Sequence, residues 1–161
     1  MRSVLNTYAP DFDCIDGESD VEYDEYDDDS LLDDEEPQIL EVVTTATYAE
    51  ENGRVTISYD ESEVLGMPQT LTQITYRLED PCSIAIVRTG GAGCVFVIEE
   101  GKRNPGDYRV GNLISLMLSI YGRKVSNTVK DGVGDLEFEY IVEMGGNKTQ
   151  RTKMSITLSK L

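Results

Sequence analysis

From Pro37 onward the chain alternates apolar and polar residues in short runs, separated by Gly, Pro, Asn and Asp. That period of two constrains the fold more than any other feature, because successive side chains of a strand point to opposite faces whereas a helix repeats every 3.6 residues. Residues 136–144 carry the signal most clearly. Leu136, Phe138, Tyr140, Val142 and Met144 share one parity, and Asp135, Glu137, Glu139 and Glu143 share the other, the pattern of a strand with one dry and one wet face. Met154, Ile156 and Leu158 repeat it, as do Val55, Ile57 and Tyr59; Ile74, Tyr76 and Leu78; Cys82, Ile84 and Ile86; and Cys94, Phe96 and Ile98.

One run reads two ways. Leu113, Leu116, Met117, Ile120 and Tyr121 fit helical spacing, while Ile114, Leu116, Leu118 and Ile120 fit alternation with Ser115 and Ser119 outward. Gly111 and Gly122 bracket the run, and strand-like neighbours flank it. It is therefore assigned as a strand that bends at Gly122 and continues through Thr128. The strands expected are 38–48, 54–60, 70–79, 82–89, 94–99, 112–121, 123–129, 135–144 and 150–159, about eight once bends are allowed for. Hairpin-length turns join most of them, so the reading is an all-β up-and-down antiparallel barrel, closure being one way to remove exposed edges. A two-sheet sandwich fits the pattern equally well.

Charge divides the chain. Residues 1–36 hold ten Asp, five Glu and only Arg2, whereas 16 acids and 13 bases follow Pro37. A stretch such as Glu22-Tyr-Asp-Glu-Tyr-Asp-Asp-Asp29 repels itself and offers little apolar surface to bury. Residues 1–36 are thus read as an acidic segment, mostly loop or disordered, with a possible first strand at Ser3–Tyr8, and 37–161 as the barrel domain. The formal net charge of −17 repels phosphate backbones and speaks against nucleic-acid binding.

Composition removes much common chemistry. The chain has no His, which excludes a Ser-His-Asp triad, a Cys-His pair and imidazole metal sites. Cys14, Cys82 and Cys94 fit no metal spacing and leave an odd thiol, pointing to a reducing compartment. Neither a signal peptide nor a membrane span is apparent, so the expectation is a cytoplasmic protein with no membrane partner. Asp11, Asp13 and Asp16-Gly17 miss the spacing of a calcium loop, and Gly90-Gly91-Ala92-Gly93 lacks the following Lys and helix of a phosphate loop. No cofactor is expected.

Ile57-Ser-Tyr-Asp-Glu-Ser-Glu63, Gly66-Met67, Thr70-Leu-Thr72, Val87-Arg-Thr-Gly90, Tyr108 and Gly134-Asp-Leu-Glu-Phe-Glu-Tyr140 together resemble the YwiB-like family of small bacterial proteins, over roughly residues 38–161. That resemblance implies a calycin-like barrel of the broad lipocalin type and no known activity. The chain departs from the family pattern in the acidic stretch after Ser3–Tyr8, read as an insertion in the first loop or the loss of a first strand. The glycine-rich turn at Gly91-Ala-Gly93 is a second departure.

Parity turns Arg88 to the side of Ile84 and Ile86, the barrel interior or its rim, and Tyr59 and Glu61 to the side of Val55 and Ile57. An inward Arg requires a carboxylate, and Glu61 or Glu63 is the candidate. With Tyr59, Tyr108 and Tyr140, this group forms a candidate anchor for an acidic ligand at the barrel mouth; a structural ion pair closing one barrel end is the competing reading. Glu61 and Glu63 lie too close along one strand end to act as a facing acid and base. The function expected is non-enzymatic binding of a small apolar or acidic ligand in or at the mouth of the barrel. The alternative is a protein–protein interaction module with a filled core, and an enzyme of unrecognised type stands third.

Overall fold

The computed structural model describes residues 2–8, 39–62, 69–111 and 114–161, with backbone alone at 2–8 and Ile39. Among the described residues ten strands follow one another: β1 (Arg2–Tyr8), β2 (Ile39–Glu51), β3 (Arg54–Asp60), β4 (Leu71–Arg77), β5 (Asp80–Thr89), β6 (Ala92–Glu99), β7 (Arg103–Val110), β8 (Ile114–Asn127), β9 (Gly134–Met144) and β10 (Asn147–Ser159). Each pairs antiparallel with its sequence neighbours, and β1 pairs with β10, closing the barrel. The barrel stands and the sandwich does not.

Where about eight strands are expected, the described residues form ten. The described part of the runs 112–121 and 123–129, from Ile114 to Asn127, forms the single strand β8, whose ladder with β9 slips between Gly122 and Lys124, the bend expected there. The possible first strand Ser3–Tyr8 lies within β1, and β7 is a strand that the expected set lacks. The sequence Arg-Asn-Pro-Gly-Asp-Tyr-Arg-Val of β7 breaks alternation with Pro105 and Gly106, so its pairing comes from tertiary context rather than from its own pattern. The acidic stretch between Tyr8 and Ile39 lies outside the described residues.

Register stacks the interior in layers. One row runs across the wall as Ala46, Tyr59, Thr72, Arg88, Cys94, Tyr108 and Leu116, each directly opposite the next. Below it lie Tyr48, Ile57, Ile74, Ile86 and Phe96, then Val55, Tyr76, Ile84 and Ile98. From the facing wall Leu136, Phe138, Met154, Ile156 and Leu158 complete one continuous apolar core, with the Phe96 ring edge-on to Tyr140 and Phe138 stacked on it. Burying each such side chain stabilises by roughly 1.5–3 kcal/mol, so the core is distributed over nearly every strand. Side chains fill the barrel.

Alternation fails at strand ends and at one outward position. Leu78, Cys82 and Met144 are exposed instead of inward, because each lies beside a turn where the ladder is ending. Ile141 has outward parity and is nevertheless fully buried. It is flanked by Tyr121 and Arg151 across the ladder. On the same outer surface Arg123 and Arg151 both reach Glu139 (3.2 and 2.7 Å), while Arg103 pairs with Glu143 (3.2 Å) and lies over the Tyr121 ring. Long aliphatic stems around such a network shield an apolar residue while their charged ends stay wet.

Candidate functional site

The uppermost interior row interrupts an apolar barrel with polar groups, and the local sequence explains why they are held there. Asp60 Oδ1 accepts from the Ser62 N–H (2.7 Å), Ser62 Oγ accepts from the Thr70 N–H (3.0 Å), and the Glu61 N–H donates to the Thr70 carbonyl (2.8 Å). The two ends of the β3–β4 connection are thereby clamped together. Gly90, in the β5–β6 turn, adopts φ +116°, and a Cβ there would lie 2.0 Å from the Gln69 carbonyl oxygen. Only glycine permits that approach of two turns. Glu61 and Arg88 therefore project from clamped backbone.

Arg88 Nε lies 2.8 Å from Glu61 Oε2 and donates to Thr72 Oγ1 at 3.3 Å. The Glu61 side chain is 2 % exposed and that of Arg88 21 %, so what the pair offers to solvent is its arginine. Among the described residues, no hydrogen bond engages the terminal nitrogens of the guanidinium. Burial opposes the charge on Arg88 most strongly, but the Glu61 carboxylate together with Cys94 and Tyr140 outweighs it and raises the pKa. Burial pushes the Tyr59 hydroxyl well above its ordinary value, and the neighbouring Glu61 charge adds to the effect. Burial likewise raises Tyr140 to about 12 and raises the Cys94 thiol, which Arg88 pulls back only in part. These groups are neutral around one ion pair.

Their contacts are poorly aligned. Tyr59 Oη interacts with the Glu61 carboxylate, Glu61 Oε2 pairs with Arg88, and Thr152 Oγ1 interacts with the Tyr140 hydroxyl, but Tyr59 Oη, Thr152 Oγ1 and Glu61 Oε2 lack a well-aligned hydrogen bond. Buried polar groups in native proteins overwhelmingly have good partners, so such a cluster is a place where water or a ligand can improve the bonding.

Of the residues singled out from the sequence, Tyr59, Glu61, Arg88 and Tyr140 are brought together electrostatically. Tyr108 occupies the same row beyond Cys94 but packs half-buried against the core. Glu63 lies outside the described residues. Sequence reasoning missed Thr72, Cys94 and Thr152 as members of the polar cluster. Thr72 and Thr152 share the inward parity of Ile74 and Met154, but it is register opposite Arg88 and Tyr140 that makes them part of the cluster, and Cys94 reads as apolar by its alternation.

Among the described residues no group of three or more Cys, Asp or Glu side chains is arranged to hold a metal ion, and no helix is long and apolar enough to cross a membrane. A 360 Å³ groove lies outside the barrel, lined by Arg54, Arg77, Asp80, Ala85, Val87 and Val97 among others.

A family profile described as "Domain of unknown function (DUF1934)" matches residues 27–156. The chain belongs to that family. Its fold is also that of the crystal structure of ywiB protein from Bacillus subtilis, which it matches with a TM-score of 0.67 at 12 % identity, covering 99 % of this chain and 91 % of that one. No curated protein matches the sequence. The YwiB-like resemblance read from the sequence thus stands, and for a DUF1934 member it specifies a fold without an activity.

Proposed function

We propose that this DUF1934 protein is a non-enzymatic binding protein that takes a small apolar or acidic ligand at the polar end of its calycin-like barrel. The observation that carries this reading is the buried polar cluster of Tyr59, Glu61, Tyr140 and Thr152, whose contacts with one another are poorly aligned, around an arginine whose terminal nitrogens make no hydrogen bond among the described residues. A buried polar group left without any partner costs about 1–3 kcal/mol, and a ligand bringing well-aligned donors and acceptors would offset the part of that cost the poorly aligned contacts leave. No nucleophile is activated in the cluster: burial raises the Cys94 thiol and the two tyrosines, which favours binding over catalysis. The free Cys82 and Cys94 thiols fit a cytoplasmic location.

The second reading, a protein–protein interaction module, draws support from the filled barrel interior. Backbone and methyl NMR of the full chain against a fragment library separates the two. Shift changes gathered at Tyr59, Glu61, Thr72, Arg88, Cys94, Tyr140 and Thr152 are expected for the small-ligand reading. A library that perturbs only the outer face, or nothing, overturns it in favour of the interaction module.

A further inference from the structure

We propose that the first residues of β8, Ile114–Leu118, form a docking edge for an extended basic polypeptide, which adds to the outside of the wall as a strand in line with β9. The edge is separate from the Arg88 cluster and stands whether or not a small ligand binds there.

β8 runs past the end of β9. On one side Ile114–Leu118 lie opposite Val110–Gly106 of β7, whereas pairing with β9 begins only at Ser119, opposite Glu143. The Gly122 N–H donates to the Lys102 carbonyl and the Gly122 carbonyl accepts from the Gly101 N–H, so Gly122 turns both groups to the β7 side. Successive residues of a strand turn them to alternate sides, and the β7–β8 register runs without a slip from Tyr121 back to Ile114. Ser115 and Met117 therefore turn their N–H and carbonyl groups away from β7, where among the described residues no strand meets them. Nor does the sequence guard this edge. Natural edges carry Lys, Pro or inward charges that block a further strand, yet residues 110–122 contain no charged residue and no proline, and Met117 is 72 % and Ile114 51 % exposed. Charge selects the partner. Because neighbouring strands are antiparallel, Tyr8 and Ile39 lie at the same end of the barrel as Ile114, and residues 9–38 between them hold fifteen acids and no Lys or Arg. β1 is the third strand from β8 through β9 and β10, about 14 Å around the wall. A second copy, or an acidic peptide, is repelled there by the net charge of −17; a basic peptide is drawn in.

Fluorescence anisotropy of the labelled peptide Lys-Lys-Val-Thr-Val-Thr-Val-Lys-Lys, titrated with the full chain, tests the inference. Saturable binding is expected, weakening roughly tenfold when Glu replaces each Lys and falling as salt rises. N-methylating either the valines or the threonines separates strand addition from adhesion to acidic residues. One of the two methylated peptides should lose binding and the other keep it, because only alternate residues bond to the edge. Met117→Pro removes an outward N–H without touching the β7 ladder, and should abolish binding with an unchanged circular dichroism spectrum. Met117→Ala keeps that N–H and should retain most of the binding. Equal behaviour of the two methylated peptides, or full binding to Met117→Pro, overturns strand addition. Equal affinity for the Glu peptide overturns the basic partner, and absence of binding by the Lys peptide overturns the docking edge as a whole.

Discussion

Glu61 is 2 % exposed with Arg88 2.8 Å away, and the pair is tolerated in the barrel only as a pair. Removing one partner from a buried ion pair destabilises by about 3–5 kcal/mol, largely by stranding the other charge. Arg88→Met should therefore lower stability by an amount in that range, and Arg88→Met combined with Glu61→Gln should recover much of it. Urea denaturation of the two single variants and the double variant would give a coupling of about 0.5–3 kcal/mol; additive losses would mean that the two side chains do not interact in solution. Tyr140 supplies a second measurement. Burial raises its pKa from the ordinary tyrosine value of 10.0 to about 12, so the unfolded chain releases this proton before the folded one does. Its contribution to stability is fully present below pH 10 and is lost as pH rises through 12. Tyr140→Phe should flatten the fall in stability between those values, as followed by circular dichroism at fixed urea. At this scale Arg88 and Glu61 were legible because parity and the cost of an unpaired inward cation are both properties of the sequence. Thr72 and Thr152 were not, since what makes them part of the site is the residue opposite them on another strand.

Strands announce themselves in sequence when both faces have distinct environments, and β9 and β10 do so throughout their middles, where one face is core and the other carries Glu137, Glu139, Lys153 and Ser155. β7 is silent for the opposite reason. Its ladder with β6 covers only Ala92–Val95 against Asp107–Val110; below that, Asn104 Nδ2 donates to the Val97 carbonyl (3.2 Å) and to Glu99 Oε2 (3.3 Å) in place of backbone pairing. β6 and β8 draw together there. The Gly101 N–H donates to the Gly122 carbonyl (2.8 Å), the Gly122 N–H donates to the Lys102 carbonyl (3.0 Å), and a Cβ on Gly122 would meet the Glu99 carbonyl oxygen at 2.1 Å. The glycine that read as a bend in the sequence is thus also a close backbone approach, which no local pattern could disclose. Gly122→Ala should force the β6 end and β8 apart and cost about 1–3 kcal/mol or more. Gly53→Ala, where the added Cβ meets nothing within 4 Å but φ is +73°, should cost only the left-handed penalty of about 1–2 kcal/mol. Thermal midpoints of the two variants rank the effects, and a smaller loss for Gly122→Ala would contradict the β6–β8 contact.

Closure of the whole barrel depends on its most distant segment in sequence. β2 and β10 are not neighbours; β1 lies between them, pairing Arg2–Tyr8 with Ile39–Thr45 on one side and Arg2–Thr7 with Met154–Ser159 on the other. A chain lacking β1 would present two unpaired strand edges, a template for association with other copies. Composition set residues 1–36 apart as one acidic unit, but the ladder divides that unit, since its first residues are wall and not tail. Two deletions separate the roles. Tyr8 and Ile39 lie directly opposite one another, so a turn of about four residues can join them in place of residues 9–38. Such a chain keeps β1 and sheds most of the negative charge, and its thermal midpoint should lie within a few degrees of the full chain, with one species by size-exclusion chromatography. Removing residues 1–38 altogether should lower the midpoint by far more and produce oligomers, because both ladders of β1 are lost together. Equal stability of the two deletions would show that β1 is not needed to close the wall. A large loss in the first alone would show instead that the acidic stretch contributes to the folded core, which its composition argues against.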